Sequence, residues 1–388
     1  MCFSAIARSV AIFLASSNMI DCHKHVVAYH NDEITLPEAE RGEMRNRRNA
    51  NRNRIKTRLK ANEKPAPAFF ASQGSYADKT MVQYPDKDYD IDDGVYFRKE
   101  DLLGPNGGEM TALLARKMVF DAINDGSFKT PPELHTNCIR VLYAAGYNVD
   151  VPVYRIVTET DIFGNETAYV ELAGADWIRS DARDVSTWFD DVNQSRSPDT
   201  ENGRQFRRIV RDIKKLTNSR KSWRKRILSG YGVTILAAEC YVPFAGRDDY
   251  SLHATLRAMH NRLKFSLALQ SPVEPYDHVA DHDDARSKYF RARLDDLESC
   301  LDDIAAAETE DEALDAWSDL YGDDYFSDRK AKAQTEALET KSADGSLLGL
   351  GLAAAGIAAG AAALSAARAK PSWEPSQAVS KGGGRTNA

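Results

Sequence analysis

Gln73-Gly74-Ser75-Tyr76 stands shortly ahead of Tyr89-Asp90-Ile91-Asp92-Asp93-Gly94 in this chain, and these two stretches decide the reading of its fold. The first reads as a Gly-Ser turn leaving a short apolar strand at 68–72 (AFFAS), the second as the opening of a strand over 88–97. Side chains at i and i+2 of a strand share one face, so Asp90 and Asp92 present two carboxylates side by side. The turn beside them suits phosphate: Gly74 lets the backbone approach closely, and Ser75 and the backbone N–H groups can grip an anion. Hard oxygen ligands at that spacing suit Mg²⁺, which binds through one or two carboxylates plus substrate phosphates. The pattern points to metal-dependent nucleotidyl transfer.

Such chemistry normally uses a further carboxylate. Asp150, in Tyr147-Asn148-Val149-Asp150-Val151-Pro152-Val153, is an acid inside an apolar, β-branched run. A buried, unpaired Asp is costly and needs a partner or a metal. Pairing with an arginine such as Arg155 is the structural alternative; with Asp90 and Asp92 on a neighbouring strand, the metal reading is the stronger.

Working outward, residues 37–63 predict one long Arg-rich helix, with Pro37 at its start and Pro65 beyond its end. It is either a solvated helix or one whose arginines line a groove. Helical periodicity recurs at 108–125; strands are predicted at 138–145 and 147–157 around Gly146, and at 168–172. Beyond about residue 175 helix dominates, at 204–218, 227–242, 251–270 and 286–305, with Ser180-Asp181 placed to cap a helix containing 185–192. The fold class is therefore α+β. Its expected domains are a core at 19–200 that includes the long helix, a helical lobe at 201–335, and a low-complexity tail at 336–388.

Composition sets the bounds. The 388 residues carry a net charge of −7, which argues against a protein that coats nucleic acid, although basic runs occur at 41–60 and 204–226. Cys2, Cys22, Cys138, Cys240 and Cys300 are widely spaced without a CxxC pair, which fits a reducing cytoplasm and gives no sign of zinc or a disulfide framework. Residues 1–18 read either as a signal peptide, with a short apolar run at 10–15 and no clear cleavage site, or as an upstream extension with Met19 as the start; the second is expected, because Met19-Ile-Asp opens directly into the folded pattern. The uncharged stretch 345–367 is long enough to span one, but it is mostly Ala and Gly; a linker or weak surface helix is expected, with inner-membrane tethering as the alternative. Residues 370–388, rich in Pro, Gly and Ser, are expected to be disordered.

Taken together, Gln73-Gly74-Ser75-Tyr76, Asp90-Ile-Asp92-Asp93-Gly94-Val95 and Val149-Asp150-Val151-Pro152 resemble the cGAS/DncV-like nucleotidyltransferases of bacterial anti-phage (CBASS) systems, and within them the cyclic GMP-AMP synthases. The likeness extends to Met19-Ile-Asp-Cys, the segment 31–37, the Arg-rich helix, and Trp177–Phe189, covering roughly residues 19–300. The resemblance implies a polymerase-β-like nucleotidyltransferase core with a helical lobe and the active site between them. It also implies Mg²⁺ as cofactor, ATP and GTP as substrates, a cyclic dinucleotide such as 3′,3′-cyclic GMP-AMP as product, and a product-activated effector as partner. Residue by residue, Asp90, Asp92 and Asp150 match the metal triad, and Gln73, Gly74 and Ser75 the phosphate-contacting turn. Arg140, Ser180, Lys214 (or Lys215) and Ser229 match nucleotide contacts. Each of these last has a structural alternative: an ion pair for Arg140, a helix cap for Ser180, a solvated basic face for Lys214, and a helix end for Ser229. The tail Gly382-Gly383-Gly384-Arg385 resembles tails conjugated by ubiquitin-like transfer enzymes. A different cyclic di- or trinucleotide remains open as product, because base selection rests on pocket contacts. A non-catalytic nucleotide or RNA sensor on the same fold is the rival of another class.

Overall fold

The computed structural model of the protein describes residues 19–84, 89–104, 106–144 and 146–330. The extension 1–18, the stretch 345–367 and the Gly-rich tail lie outside these residues. The chain divides into two compact units, Met1–Asp328 and Arg329–Ala388, and the sheet, its helices and the candidate site all belong to the first.

An eight-stranded mixed sheet forms the core. Its strands are β1 (Phe69–Gln73), β2 (Tyr89–Arg98), β3 (Glu133–Leu134), β4 (Ile139–Leu142), β5 (Tyr147–Val151), β6 (Val153–Thr160), β7 (Glu166–Ala173) and β8 (Trp177–Arg179). The order is β3-β4-β5-β2-β6-β7-β8, with β1 pairing β2. β5 and β6 run parallel to β2 in one continuous register, Tyr89 opposite Tyr147 and Val95 opposite Val153. Pro152 separates the two halves, lacking the N–H that would continue the ladder, while its carbonyl accepts from the Val95 N–H at 3.0 Å. The strand expected over 147–157 is thus two strands.

One sheet face is the core. Tyr89, Ile91, Val95, Phe97, Ile139, Val141, Val149, Val151 and Val153 pack beneath two helices, α1 (Glu38–Ala61) and α2 (Ala112–Ile123). The Thr111 hydroxyl caps α2 by accepting from the Leu114 N–H. On α1, Glu38 and Glu40 lie in the first turn and Arg58 and Lys60 in the last, the arrangement that favours its dipole. Only Met44, Asn51, Ile55 and Leu59 of α1 are buried. Its arginines have divided tasks: Arg52 pairs with the buried Asp93 at 2.7 and 2.5 Å and Arg54 with Asp125 at 2.7 Å, whereas Arg41, Arg45 and Arg48 line a cavity with Arg207 and Arg211.

The opposite face carries acids at one end of β2 and, at the other, a small cluster of the aromatic Tyr96 and Tyr154 with Val170. A helical layer follows: α3 (Ala182–Arg196), α4 (Gln205–Asn218), α5 (Gly230–Cys240), α6 (Asp248–Phe265), α7 (Ala285–Asp296), α8 (Glu298–Ala306) and α9 (Glu310–Tyr321). Residues expected within the core join it, since Met19, Cys22, Val26, Tyr29 and Ile34 pack with Phe206, Leu252 and Trp317. The helix expected over 286–305 is two, broken at Leu297, the shared boundary of α7 and α8. Among the described residues no helix is long and apolar enough to cross a membrane.

Candidate active site

The site is built on one row of cross-strand neighbours. Gln73 on β1 faces Asp92 on β2, Asp92 faces Asp150 on β5, and Asp150 faces Arg140 on β4. Directly paired residues project from the same face with Cβ atoms about 5 Å apart. Asp90 lies two residues before Asp92 on that face, where its carboxylate accepts from the Asn148 side-chain amide at 3.2 Å. The pleat thus brings together three carboxylates separated in sequence.

Their electrostatics conflict. Burial, then the charges of Asp150 and Asp90, push the Asp92 carboxyl up to about 7, with Arg140 opposing. Arg140 donates to both Asp150 oxygens at 2.8 and 2.7 Å and stands 3.8 Å from Asp90. Arg140, not Arg155, is therefore the partner of Asp150; Arg155 pairs with Glu171 at 2.5 Å and with Glu109. One guanidinium cannot balance three carboxylates, and the donors are hard oxygens, so the set suits a divalent cation such as Mg²⁺. With Asp150 turned to Arg140, the three have not converged on one point. Among the described residues the one trio of ligand atoms within 4.8 Å is His260, Asp295 and Glu298, where His260 and Asp295 form an ion pair at 2.6 Å.

The turn closes over the acids. Gly74 sits at φ +59°, in the left-handed region that glycine adopts without steric cost, and a Cβ there would stand 2.9 Å from Asp92 Oδ2. Gly74–Ala77 forms one helical turn, and the Ser75 carbonyl accepts from the Thr80 N–H at 2.8 Å.

Beside the acids lies a cavity of about 510 Å³ whose lining includes Ser75, Asp90, Asp92, Lys214 and Ser229. Lys214 is buried and donates to the Thr80 hydroxyl at 2.9 Å. Burial pulls its ammonium down to about 8, with Asp78 holding the charge in place and Arg211 working against it. Lys215 points elsewhere, donating to the Glu33 carbonyl at 2.7 Å, and of the two lysines it is Lys214 that lines the cleft. Ser229 begins a helix and does not end one: its hydroxyl caps α5 by accepting from the Gly232 N–H at 3.1 Å. A helix N-terminus in a cleft favours an anionic ligand.

Of the matched residues, Gln73, Gly74, Arg140, Asp150 and Ser180 lie outside this cavity lining. Ser180 borders a separate cavity of about 330 Å³ with Phe69, Tyr169 and Arg183, and the cap of α3 is its neighbour Asp181, which accepts from the Arg183 N–H. Gln73 is buried, its side chain engaged by Tyr96 and Tyr154. The sequence reading missed Thr80, Asn218, Lys225 and Arg286, which line the cleft. Lys225 belongs to the basic run already noted; Arg286 carried no local signal.

Residues 68–154 match the family model described as "Cyclic GMP-AMP synthase DncV-like, nucleotidyltransferase domain". Among solved structures, the chain is similar to Vibrio cholerae DncV cyclic AMP-GMP synthase in complex with the linear intermediate 5′ pppA(3′,5′)pG, at 17% identity and TM-score 0.60 over 78% of this chain and 96% of that one. It is also similar to E. coli MS115-1 CdnC with ATP, at 16% identity and TM-score 0.56 over 79% and 99%. At such identities these likenesses speak for the fold, an α+β nucleotidyltransferase core with a helical C-terminal region; the family model covers the turn and all three acids. Residues 68–154 of the chain thus match a DncV-like nucleotidyltransferase domain, carried on a fold shared with DncV and CdnC, and the protein is a nucleotidyltransferase.

Proposed function

We propose that the protein joins ATP and GTP, with Mg²⁺, into a cyclic dinucleotide, 3′,3′-cyclic GMP-AMP, as the messenger of a bacterial anti-phage response. One observation carries the reading: Asp90, Asp92 and Asp150 share one sheet face directly beneath the Gly74-Ser75 turn, with Lys214 and the capped N-terminus of α5 lining the same cleft. The solved relatives hold the kinds of ligand this requires, ATP in CdnC and the linear intermediate pppA(3′,5′)pG in DncV.

The chain's residues divide the work. The turn amides and Ser75 grip the β- and γ-phosphates of the donor nucleotide, and the Lys214 ammonium and the α5 N-terminus neutralise them from the other wall. Asp90 and Asp92, with Asp150 once released from Arg140, would hold Mg²⁺, which would supply charge neutralisation of the leaving pyrophosphate and a lowered pKa for the attacking hydroxyl. Freed from Asp150, Arg140 is placed to meet phosphate. The product of the first transfer, a linear dinucleotide, keeps its own 5′-triphosphate, so the same groups serve the second transfer that closes the ring.

The test is product analysis by chromatography and mass spectrometry, with labelled ATP and GTP plus Mg²⁺ and an Asp90→Ala/Asp92→Ala control. Cyclic GMP-AMP absent from the control supports the proposal. Another cyclic oligonucleotide keeps the class and discards the product. Silence under varied metals and pH removes the synthase reading.

A further inference from the structure

Along the acid face β2 reads Asp90, Asp92, Gly94, Tyr96, the even positions of a strand. Gly94 leaves a gap between the acids and the aromatic cluster, and the Gln73 side chain fills it: a Cβ on Gly94 would stand 2.4 Å from Gln73 Nε2. Gln73 is 3% exposed. Its Nε2 donates to the Tyr96 hydroxyl at 2.8 Å, and the Tyr154 hydroxyl donates to its Oε1 at 3.2 Å. Tyr96 and Tyr154 stack with centroids 4.6 Å apart, Phe69 stacks on Tyr96 at 4.5 Å, and the Tyr96 hydroxyl reaches Asp181 at 3.4 Å. Burial pushes both tyrosine hydroxyls well above their usual range, which keeps them protonated donors.

We propose that Gln73 is a positioning residue, clamped by Tyr96 and Tyr154, that sets the Gly74-Ser75 turn against Asp92, and that its side chain does not touch phosphate. The residue after it is a left-handed glycine, whose backbone has more conformational freedom than any other. Strand pairing ends at Gln73; the Asp78 and Thr80 N–H groups hold the far side of the turn, and the Gln73 side chain is placed to hold the near side. Both polar ends of the amide are engaged inside the sheet. The chain of contacts runs on to Asp181, the cap of α3, so the turn's position is coupled to the first helix beyond the sheet.

This inference rests on the nucleotidyltransferase reading, and its test has one arm independent of turnover. Full-length Gln73→Met, Tyr96→Phe/Tyr154→Phe and the triple variant are compared with wild type. In the first arm, amide hydrogen exchange across residues 74–80 accelerates about tenfold in each variant, with exchange in α4–α9 unchanged. In the second, kcat for nucleotide transfer falls about 10- to 100-fold while KM stays within about twofold, because misplacing a catalytic turn costs rate and not uniform binding. The triple variant is no worse than either parent. Unchanged exchange in the turn overturns the proposal. So does a raised KM in Gln73→Met with the tyrosine variants silent, which returns Gln73 to phosphate contact. If wild type lacks turnover altogether, the activity reading fails and the exchange arm alone decides.

Discussion

Replacing Gly74 with Ala separates two costs that usually arrive together. The residue sits at φ +59°, where a side chain costs about 1–2 kcal/mol. At about 2.1 cal/mol/K of unfolding entropy per residue, a chain of this length shifts by about 1–2 °C per kcal/mol, which predicts a fall of about 1–4 °C. The added Cβ also stands 2.9 Å from Asp92 Oδ2, while ordinary contact begins at 3.4 Å, so the carboxylate or the turn must yield by about half an ångström. A displacement of 1 Å at a reacting centre costs about 100-fold, so half of it predicts a loss of about tenfold in kcat. Gly164 is the control. It has φ +82° and nothing within 4 Å of an added Cβ, so Gly164→Ala carries the same backbone cost without the contact. Nucleotide transfer followed by chromatography, with melting curves on the same preparations, reads both quantities. Equal losses of stability with a rate loss in Gly74→Ala alone are expected. Wild-type turnover in Gly74→Ala, or equal turnover in the two variants, refutes the reasoning.

Arg52→Ala leaves Asp93 buried with only the Ser72 hydroxyl as partner, and chemical denaturation should show a loss of about 3 kcal/mol. Lys214→Met should raise the Kd for a triphosphate about tenfold, as the loss of one charge-assisted contact, while Lys215→Met leaves it unchanged in the same titration. Because burial lowers the Lys214 ammonium to about 8, wild-type triphosphate affinity should decline as pH rises past that value, and Lys214→Met should abolish the decline. The same lowered pKa makes Lys214's contribution to stability rise with pH from about 8 towards its unfolded value, since only the unfolded chain keeps the proton there. Mg²⁺ at a hundredfold over its Kd should stabilise wild type by about 2.7 kcal/mol in melting experiments and leave Asp90→Ala/Asp92→Ala unaffected.

Local periodicity controls the part of the site that was legible in the sequence. Asp90 and Asp92 share a face because a strand has period two, and the Gly-Ser turn announced its own backbone. Asp150 was legible as an acid that an apolar strand cannot leave alone, but its partner was not, because Arg140 and Arg155 are distinguished by strand pairing that no local pattern encodes. Ser229 was read as a possible helix end from the glycine after it; the capping hydrogen bond to Gly232 shows the opposite polarity. Leu297, an apolar residue in helical phase, gave no sign of the break it makes. Lys214 and Lys215 are adjacent, so only the packed orientation of α4 could separate them.

β2 is also a gradient. Within four alternate positions its open face passes from the exposed carboxylate of Asp90, through the half-buried Asp92, to a glycine and then a fully buried tyrosine. The dielectric around Asp92 is therefore written into one strand, and not assembled from distant loops. A carboxylate kept at that boundary ionises reluctantly by itself and readily beside a cation. Under the proposed function, the order of these four side chains leaves Asp92 reluctant to carry its charge until a cation arrives.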